Sequence, residues 1–271
     1  NASAAELNIY SHRQAFLINP FLEAFTAKTG IKTKVVFASK GLAQRLQQEG
    51  ESSPADVVLT VDIARLSVYA EKGLFTKVDS EILNSTIPSH LRDADGYWYG
   101  LSIRSRVIGV SKERVQQGEI SSYEDLADPK WKGRVCSRPG SHVYNRALVA
   151  SMIAAHGEIE AENWALSVVA NFARRPQGND RAQVKAIFQG ECDVAIMNHY
   201  YYGKLLKSDK AAQREWANAI NIVFANQGTG ERGAHINISG GGVTTHSKNK
   251  ANATKLLEFL VSDEAQALYG K

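Results

Sequence analysis

The feature that most constrains the fold of this chain is a regular alternation of short apolar runs with amphipathic stretches. Residues 7–10 form a strand-like run, and the apolar spacing within 14–29 predicts a helix that ends at Gly30. Residues 32–38 and 57–60 are the next strand-like runs, and a helical pattern separates each from its neighbour. Because strands and helices alternate in this way, the sequence predicts an α/β fold with a largely parallel sheet.

The middle of the chain carries a second unit of the same kind. Its strand-like runs lie at 106–110, 133–136, 193–197 and 219–224. Because apolar strands occur in both parts of the chain, we expect two α/β lobes joined by hinge strands, with a ligand in the cleft between them. The expected division is an N-terminal lobe of 1–103, a C-terminal lobe of 104–228 and a return of 229–271 to the N-terminal lobe.

Composition narrows the classes of function. The 271 residues carry 32 Lys and Arg against 28 Asp and Glu, and this net charge of +4 is too small to indicate a nucleic-acid-binding protein. No apolar stretch approaches the ~20 residues that span a bilayer. The chain begins with small residues and without Met, which is typical of an exported protein whose signal peptide has been removed, although a trimmed chain would begin in the same way.

Two cysteines, Cys136 and Cys192, stand in the second unit. An even number of cysteines in an exported protein indicates one disulfide, and two buried thiols are the alternative. The pair lacks the Cys-x-x-Cys spacing of a redox or zinc site, and the chain has only two Met. A site for a soft metal ion such as Cu(I) is therefore not expected.

The residues that point most directly to a binding function are the consecutive tyrosines Tyr200, Tyr201 and Tyr202. They follow the apolar run 194–197 and precede a helix start expected at Gly203, so they lie beyond the carboxyl end of a strand, where α/β sheets place their ligands. A free phenol has a pKa near 10, and a hard trivalent cation stabilises its ionised form. Several phenolate oxygens together select Fe³⁺ over softer divalent metals. The alternative is an aromatic cluster that packs beside a helix.

A second source of phenol oxygens is Tyr144, which follows the strand that ends near Cys136. A disulfide between Cys136 and Cys192 would tie this strand to the one that leads into Tyr200. Tyr144 and Tyr200 would then stand at neighbouring strand ends of one lobe, which is the geometry that a shared site requires.

The other candidate side chains are less specific. The seven histidines include no His-x-x-x-His pair, and only His12, directly after the first strand, is retained as a candidate ligand. Arg13, Arg104 and Arg106 stand at expected strand ends and can clamp an oxyanion with paired hydrogen bonds, whereas solvated arginine is the ordinary alternative. The glycines 240–242 indicate close backbone packing, since no phosphate-binding motif follows them. No nucleophile motif points to catalysis.

Taken in chain order, a set of short motifs resembles the ferric-ion-binding proteins of bacterial ABC iron importers. The motifs are Tyr10-Ser11-x-Arg13, Ser53-Pro54-Ala55-Asp56-Val57, Leu59-Thr60-Val61-Asp62, Arg104-Ser105-Arg106-Val107, Trp131-Lys132-Gly133-Arg134, Tyr144-Asn145, Pro176-Gln177-Gly178-Asn179-Asp180, Asn198-x-Tyr200-Tyr201 and His235-Ile236-Asn237-Ile238-Ser239-Gly240. Each motif is weak alone, whereas their order over nearly the whole chain is specific. The resemblance implies the type II periplasmic-binding-protein fold.

The resemblance also assigns roles residue by residue. It implies Fe³⁺ ligation by Tyr144, Tyr200 and Tyr201, and a packing role for Tyr202, one place beyond the doublet. The other implied residues contact a synergistic carbonate-like anion: Arg13 and Arg104 as clamps, and Asn179 and Asn198 as supporting hydrogen-bond partners.

This chain departs from the family pattern in its N-terminal lobe. Many relatives carry His, or His-Tyr, where this chain has Gln14-Ala15, and some carry Glu where it has Val61. We therefore expect the N-terminal lobe to supply no protein ligand to the metal unless His12 substitutes. Relatives also continue for several tens of residues beyond the position of Lys271, so a carboxy-terminal segment is expected to follow.

The resemblance implies a monomeric Fe³⁺ carrier that delivers its iron to an inner-membrane ABC permease and catalyses no reaction. The expected location is the periplasm, or the cell surface through a lipid anchor if the source lacks an outer membrane. Two other functions stay open: a carrier of an oxyanion or organic anion with the same fold and, less favoured, a non-haem iron enzyme. Hard phenolate ligands stabilise ferric iron and discourage redox cycling, which favours the carrier.

Overall fold

The computed structural model describes residues 6–269, in which strands alternate with helices. The strands are β1 Glu6–Ser11, β2 Lys32–Phe37, β3 Val57–Thr60, β4 Tyr99–Ser111, β5 Val135–Cys136, β6 Val194–Asn198, β7 Ile220–Val223 and β8 Ile236–Val243. The helices are α1 Ala15–Thr29, α2 Leu42–Glu49, α3 Ile63–Glu71, α4 Glu81–Thr86, α5 Val143–His156, α6 Glu158–Ala170, α7 Asp180–Phe188, α8 His199–Leu206, α9 Ala211–Asn218, α10 Lys250–Leu260 and α11 Asp263–Leu268. The predicted α/β class is confirmed. Each helix of the described chain is too short or too polar to cross a membrane.

The described residues divide into two compact units. Unit 1 contains residues 6–103 and 237–269, and unit 2 contains residues 104–236. The sequence-based boundaries were 103/104 and 228/229, whereas the division in the structure runs at 103/104 and 236/237. Residues 229–236 stay with unit 2 because Arg106 N donates a hydrogen bond to His235 O (3.0 Å), and His235 N donates one to the Tyr123 hydroxyl (2.9 Å).

Unit 1 is built on a sheet with the strand order β2-β1-β3-β8, and the first residues of β4 lie next to β8. β1 pairs in parallel with both β2 and β3, whereas β8 runs antiparallel to β3. The glycines of β8 allow neighbouring backbones to approach closely. A Cβ added at Gly240 would collide with the carbonyl oxygen of Tyr99, and one at Gly241 would lie 2.8 Å from that of Val58. The close packing predicted for residues 240–242 is therefore confirmed.

In unit 2, the second part of β4 pairs antiparallel with β6 and with β7, and β5 runs parallel to β6. A disulfide joins Cys136 of β5 to Cys192, just before β6, with a Cα–Cα distance of 5.9 Å. The predicted disulfide is confirmed. Because β5 and β6 are parallel neighbours, the chain leaves both strands at the same edge of the sheet.

Candidate functional site

The tyrosine run lies in the first turn of α8 in unit 2. β6 ends at Asn198 and α8 begins with the next residue, so the prediction that the helix starts at Gly203 was wrong. The backbone of Asn198 is extended (φ −82°, ψ 135°) and enters the helix without an intervening loop. The rings of Tyr200 and Tyr201 are tilted against each other with their centroids 4.4 Å apart. Tyr202, like Tyr201, packs against the buried core of unit 2.

Tyr144 lies in the first turn of α5. The Nδ1 atom of His142, the N-cap residue, accepts a hydrogen bond from Tyr144 N (3.2 Å), which satisfies one of the free backbone donors at the helix start. Tyr144 Oη lies 3.3 Å from Tyr200 Oη. Two hydroxyl groups that are 56 positions apart in the sequence thus meet at one edge of the sheet.

The hydroxyl of Tyr200 is protonated at neutral pH. Burial raises the pKa of Tyr200 far above its ordinary value of 10.0, and hydrogen bonds with Tyr144 and Tyr201 raise it further, whereas a hydrogen bond with the Asn198 side chain lowers it. A metal ion that binds this oxygen must therefore displace a proton. A small ion of high charge does so most effectively, because it stabilises the phenolate directly.

The donor atoms available in unit 2 also limit the type of metal. Within residues 6–269, no three His, Cys, Asp or Glu side chains converge to hold a metal ion. The hydroxyl oxygens of Tyr144 and Tyr200 lie 3.3 Å apart, and the side chain of Tyr201 is hydrogen-bonded to that of Tyr200. We define these three residues as the tyrosine cluster. Phenolate oxygens are hard donors, so this cluster suits a hard cation and does not resemble the imidazole and thiolate sets that hold zinc.

A basic group lies against each ring of the tyrosine cluster. The distances from the guanidinium carbon or ammonium nitrogen to the ring centroid are 5.0 Å for Arg138 with Tyr144, 5.6 Å for Lys204 with Tyr200 and 5.7 Å for Arg181 with Tyr201. A cation near an aromatic face is attractive, and a positive charge also favours the ionised form of a phenol. These three basic residues were not predicted to belong to the site. No sequence pattern distinguishes Arg138 and Arg181 from surface residues, whereas Lys204 follows Tyr200 by four positions in α8 and was missed because the helix start was misplaced.

A buried charged cluster connects the starts of α5, α7 and α8. Asp180 is fully buried and forms ion pairs with Arg106 Nη1 (2.9 Å) and Arg138 Nη1 (3.1 Å). It also accepts a hydrogen bond from the backbone N of Asn198 (2.8 Å). Arg106 donates further hydrogen bonds to the Oδ1 atoms of Asn198 (3.1 Å) and Asn145 (2.6 Å). Both Nη groups of Arg106 are thus engaged by protein acceptors, which argues against the anion-clamping role considered for this residue.

Comparison with known proteins identifies the family. The family model described as bacterial extracellular solute-binding protein matches residues 52–270. Iron uptake protein A1 of Synechocystis is 48% identical over 263 residues, which cover 97% of this chain and 72% of that protein. The major ferric iron-binding protein of Neisseria meningitidis is 30% identical over 97% of this chain and 77% of its own length. The chain belongs to the ferric-iron-binding family of bacterial extracellular solute-binding proteins.

Solved structures of the ferric-iron-binding family have the same fold as this chain. The Bordetella ferric binding protein superposes with a TM-score of 0.89 at 46% identity, over 97% of this chain and 83% of that chain. The ferric iron-binding protein A of Mannheimia haemolytica, in an open conformation, gives a TM-score of 0.84 at 48% identity, over 99% and 84%. The predicted type II periplasmic-binding-protein fold is confirmed. The family consists of binding proteins and not of enzymes, as predicted.

Two of the predicted site residues, His12 and Arg13, lie in unit 1. His12 Nδ1 contacts Ala38 O (3.0 Å) and its Nε2 contacts the hydroxyl of Tyr69 (2.9 Å). Because a carbonyl oxygen only accepts, Nδ1 carries the proton and Nε2 accepts from Tyr69. Both ring nitrogens of His12 therefore already have partners within unit 1. Arg13 Nη1 donates a hydrogen bond to the hydroxyl of Tyr269 (3.3 Å).

The other predicted anion-binding residues lie in unit 2. Asn179 is the N-cap of α7, and its Oδ1 accepts a hydrogen bond from Ala182 N (3.1 Å). Arg104 is partly buried, in the strand β4. Asn198 is buried and its side chain is hydrogen-bonded to Tyr200. Asn198 is thus in direct contact with the tyrosine cluster.

Proposed function

We propose that this protein captures Fe³⁺ in the periplasm through the phenolate oxygens of Tyr144, Tyr200 and Tyr201 and delivers it to an ABC permease. The observation that carries the proposal is the 3.3 Å approach of the Tyr144 and Tyr200 hydroxyls, with the ring of Tyr201 against that of Tyr200. The family adds independent support, since the relatives named above are an iron uptake protein and ferric iron-binding proteins.

The chemistry of the tyrosine cluster suits capture of a trivalent ion. Each phenol that loses its proton contributes one negative charge, so three phenolates balance the charge of Fe³⁺ within a partly buried site. The basic groups of Arg138, Arg181 and Lys204 favour the ionised phenolates during loading. Hard oxygen ligands also hold iron in the ferric state, which is appropriate for a carrier.

A carbonate-like anion completes the coordination of the metal in this proposal. Arg104, Asn179 and Asn198 of unit 2 are its expected partners. A guanidinium group binds a planar oxyanion through two parallel hydrogen bonds, which orient as well as attract it. Iron loading in bicarbonate-free buffer, followed by addition of bicarbonate, tests this part: we expect tighter binding after the addition, and a smaller gain for Arg104→Gln.

The ligand assignment is tested by four single substitutions that each remove one hydroxyl and keep the ring. Tyr144→Phe, Tyr200→Phe and Tyr201→Phe remove proposed ligands, and Tyr202→Phe is the matched control. Iron-free protein is titrated with a ferric chelate while the phenolate-to-iron charge-transfer absorption is recorded.

We expect the wild type and Tyr202→Phe to bind one ferric ion per chain. Each of the other variants should lose more than about 100-fold in affinity for Fe³⁺. Even the loss of a residue that only hydrogen-bonds to a metal ligand lowers metal affinity by about 10–100-fold. Equal affinities for all four variants would contradict the proposed ligand set.

A further inference from the structure

A cavity of about 480 Å³ lies within unit 1, and none of the three tyrosines proposed as iron ligands lines it. Its lining residues follow the carboxyl ends of three parallel strands: His12 follows β1, Ser39 and Lys40 follow β2, and Asp62 and Arg65 follow β3. β1 lies between β2 and β3, and the chain crosses from one side of β1 to the other between these two strands. This is the topological switch point at which open α/β sheets bind their ligands.

The charged side chains of the cavity carry a positive balance. Lys40 and Arg65 are cationic, and Asp62 is the acidic residue that lines the cavity. The Asp62 carboxylate is already engaged, since Oδ1 caps α3 by accepting from Arg65 N (2.9 Å) and Oδ2 lies 3.6 Å from Arg65 Nε. None of the ion pairs within residues 6–269 involves Lys40, whose side chain is exposed. An anion entering the cavity therefore meets the ammonium group of Lys40 and the guanidinium group of Arg65, which contacts Asp62 through Nε.

Two residues that line the cavity, His12 and Tyr69, are uncharged. His12 and Tyr69 are both buried and are hydrogen-bonded to each other (2.9 Å). Burial lowers the pKa of His12, and the positive charge of Arg65 lowers it further, so the imidazole is neutral at neutral pH. The side chains of Ala43 and Val68 add apolar surface. A ligand that fits these walls needs a carbon skeleton as well as negative charge.

We infer that this cavity binds a small organic polycarboxylate, with Lys40 and Arg65 as its clamps, without any metal ion. The volume lies in the range of small-molecule sites, whereas a single inorganic oxyanion would fill a small part of it. The fork of Arg65 pairs with one carboxylate through two hydrogen bonds, and the ammonium group of Lys40 binds a second as a point charge. The apolar surface of Ala43 and Val68 contacts the carbon chain between them.

The test uses the full iron-free chain and propane-1,2,3-tricarboxylate, which lacks the hydroxyl group that makes citrate a strong iron chelator. Isothermal titration calorimetry is performed on the wild type and on Lys40→Gln, Arg65→Gln and Lys32→Gln. Lys32 begins β2, at the opposite end of that strand from Lys40, so its variant removes the same charge outside the cavity. We expect Lys40→Gln and Arg65→Gln each to weaken binding at least about tenfold, and Lys32→Gln less than about twofold.

Three outcomes would overturn the inference. These are no binding of the tricarboxylate at about 10 mM, an equal loss for Lys32→Gln and Lys40→Gln, or equally tight binding of sulfate with the same dependence on the variants. Tyr200→Phe separates this site from the proposed iron site. It is expected to weaken ferric iron binding and leave tricarboxylate binding unchanged, so each proposal can fail without the other.

Discussion

Asp180→Asn removes the carboxylate that balances two buried guanidinium groups in unit 2. Asp180 is fully buried, the Arg106 side chain is 3% exposed and that of Arg138 is 11% exposed. Asparagine retains an oxygen acceptor but no charge, so the Arg106 guanidinium is left buried without a counterion. Breaking a buried ion pair by removing one partner costs about 3–5 kcal/mol. We expect the free energy of unfolding of the iron-free protein to fall by this amount.

Urea unfolding followed by tryptophan fluorescence measures this loss, since Trp131, Trp164 and Trp216 all lie in unit 2. Asp95→Asn is the matched control, because it makes the same change at an ion pair with Lys77 whose two side chains are 71% and 60% exposed. An exposed pair contributes about 0–1 kcal/mol. If Asp180→Asn cost no more than the control, the claim that the buried cluster depends on this carboxylate would be refuted.

The remaining predictions concern the disulfide, one carboxylate and the uptake of iron. Replacing both Cys136 and Cys192 with Ser should cost about 4 kcal/mol in urea unfolding, because the disulfide spans 56 positions; a loss below about 1 kcal/mol would count against this. Burial alone would raise the pKa of Glu124, but hydrogen bonds, chiefly with Asn226 and His156, lower it from 4.5 to about 2. Because this carboxylate is partly exposed, the free energy of unfolding of the wild type should exceed that of Glu124→Gln by about 1 kcal/mol. This difference in stability should be complete above pH 4.5 and should disappear as the pH falls through 2. A difference that grew in acid would contradict the lowered pKa of Glu124. Ferric iron affinity should fall by up to about tenfold per pH unit on acidification for each phenol proton that the metal displaces, and a pH-independent affinity would exclude phenol ligands.

The sequence was informative where a local pattern determines the structure. The approach of Tyr144 to Tyr200 was predictable because each residue follows a strand, and parallel neighbouring strands end at the same edge of a sheet. The two cysteines strengthened this prediction by indicating which strands are neighbours. The glycines 240–242 were interpreted as close packing because no phosphate-binding motif follows them, and the backbone contacts of β8 agree.

Other features depend on contacts that no local pattern records. The start of α8 was misplaced because its N-cap residue, Asn198, makes no capping hydrogen bond and instead accepts from Arg106. Arg138 lies between β5 and α5 and reaches the ring of Tyr144 through the tertiary fold of unit 2. Lys204 follows Tyr200 by four positions in α8, so this contact was missed because the start of α8 was misplaced. Lys40 and Arg65, 25 positions apart, share a cavity only because the strands before them are both neighbours of β1.

The most direct test of the central claim is the resonance Raman spectrum of the iron-loaded protein, excited within its charge-transfer absorption. If tyrosine phenolates bind Fe³⁺, the spectrum contains tyrosine ring vibrations that shift when the protein is prepared with ring-deuterated tyrosine. These bands should weaken in Tyr200→Phe and remain unchanged in Tyr202→Phe. Iron bound at one ion per chain without such tyrosine vibrations would contradict the account.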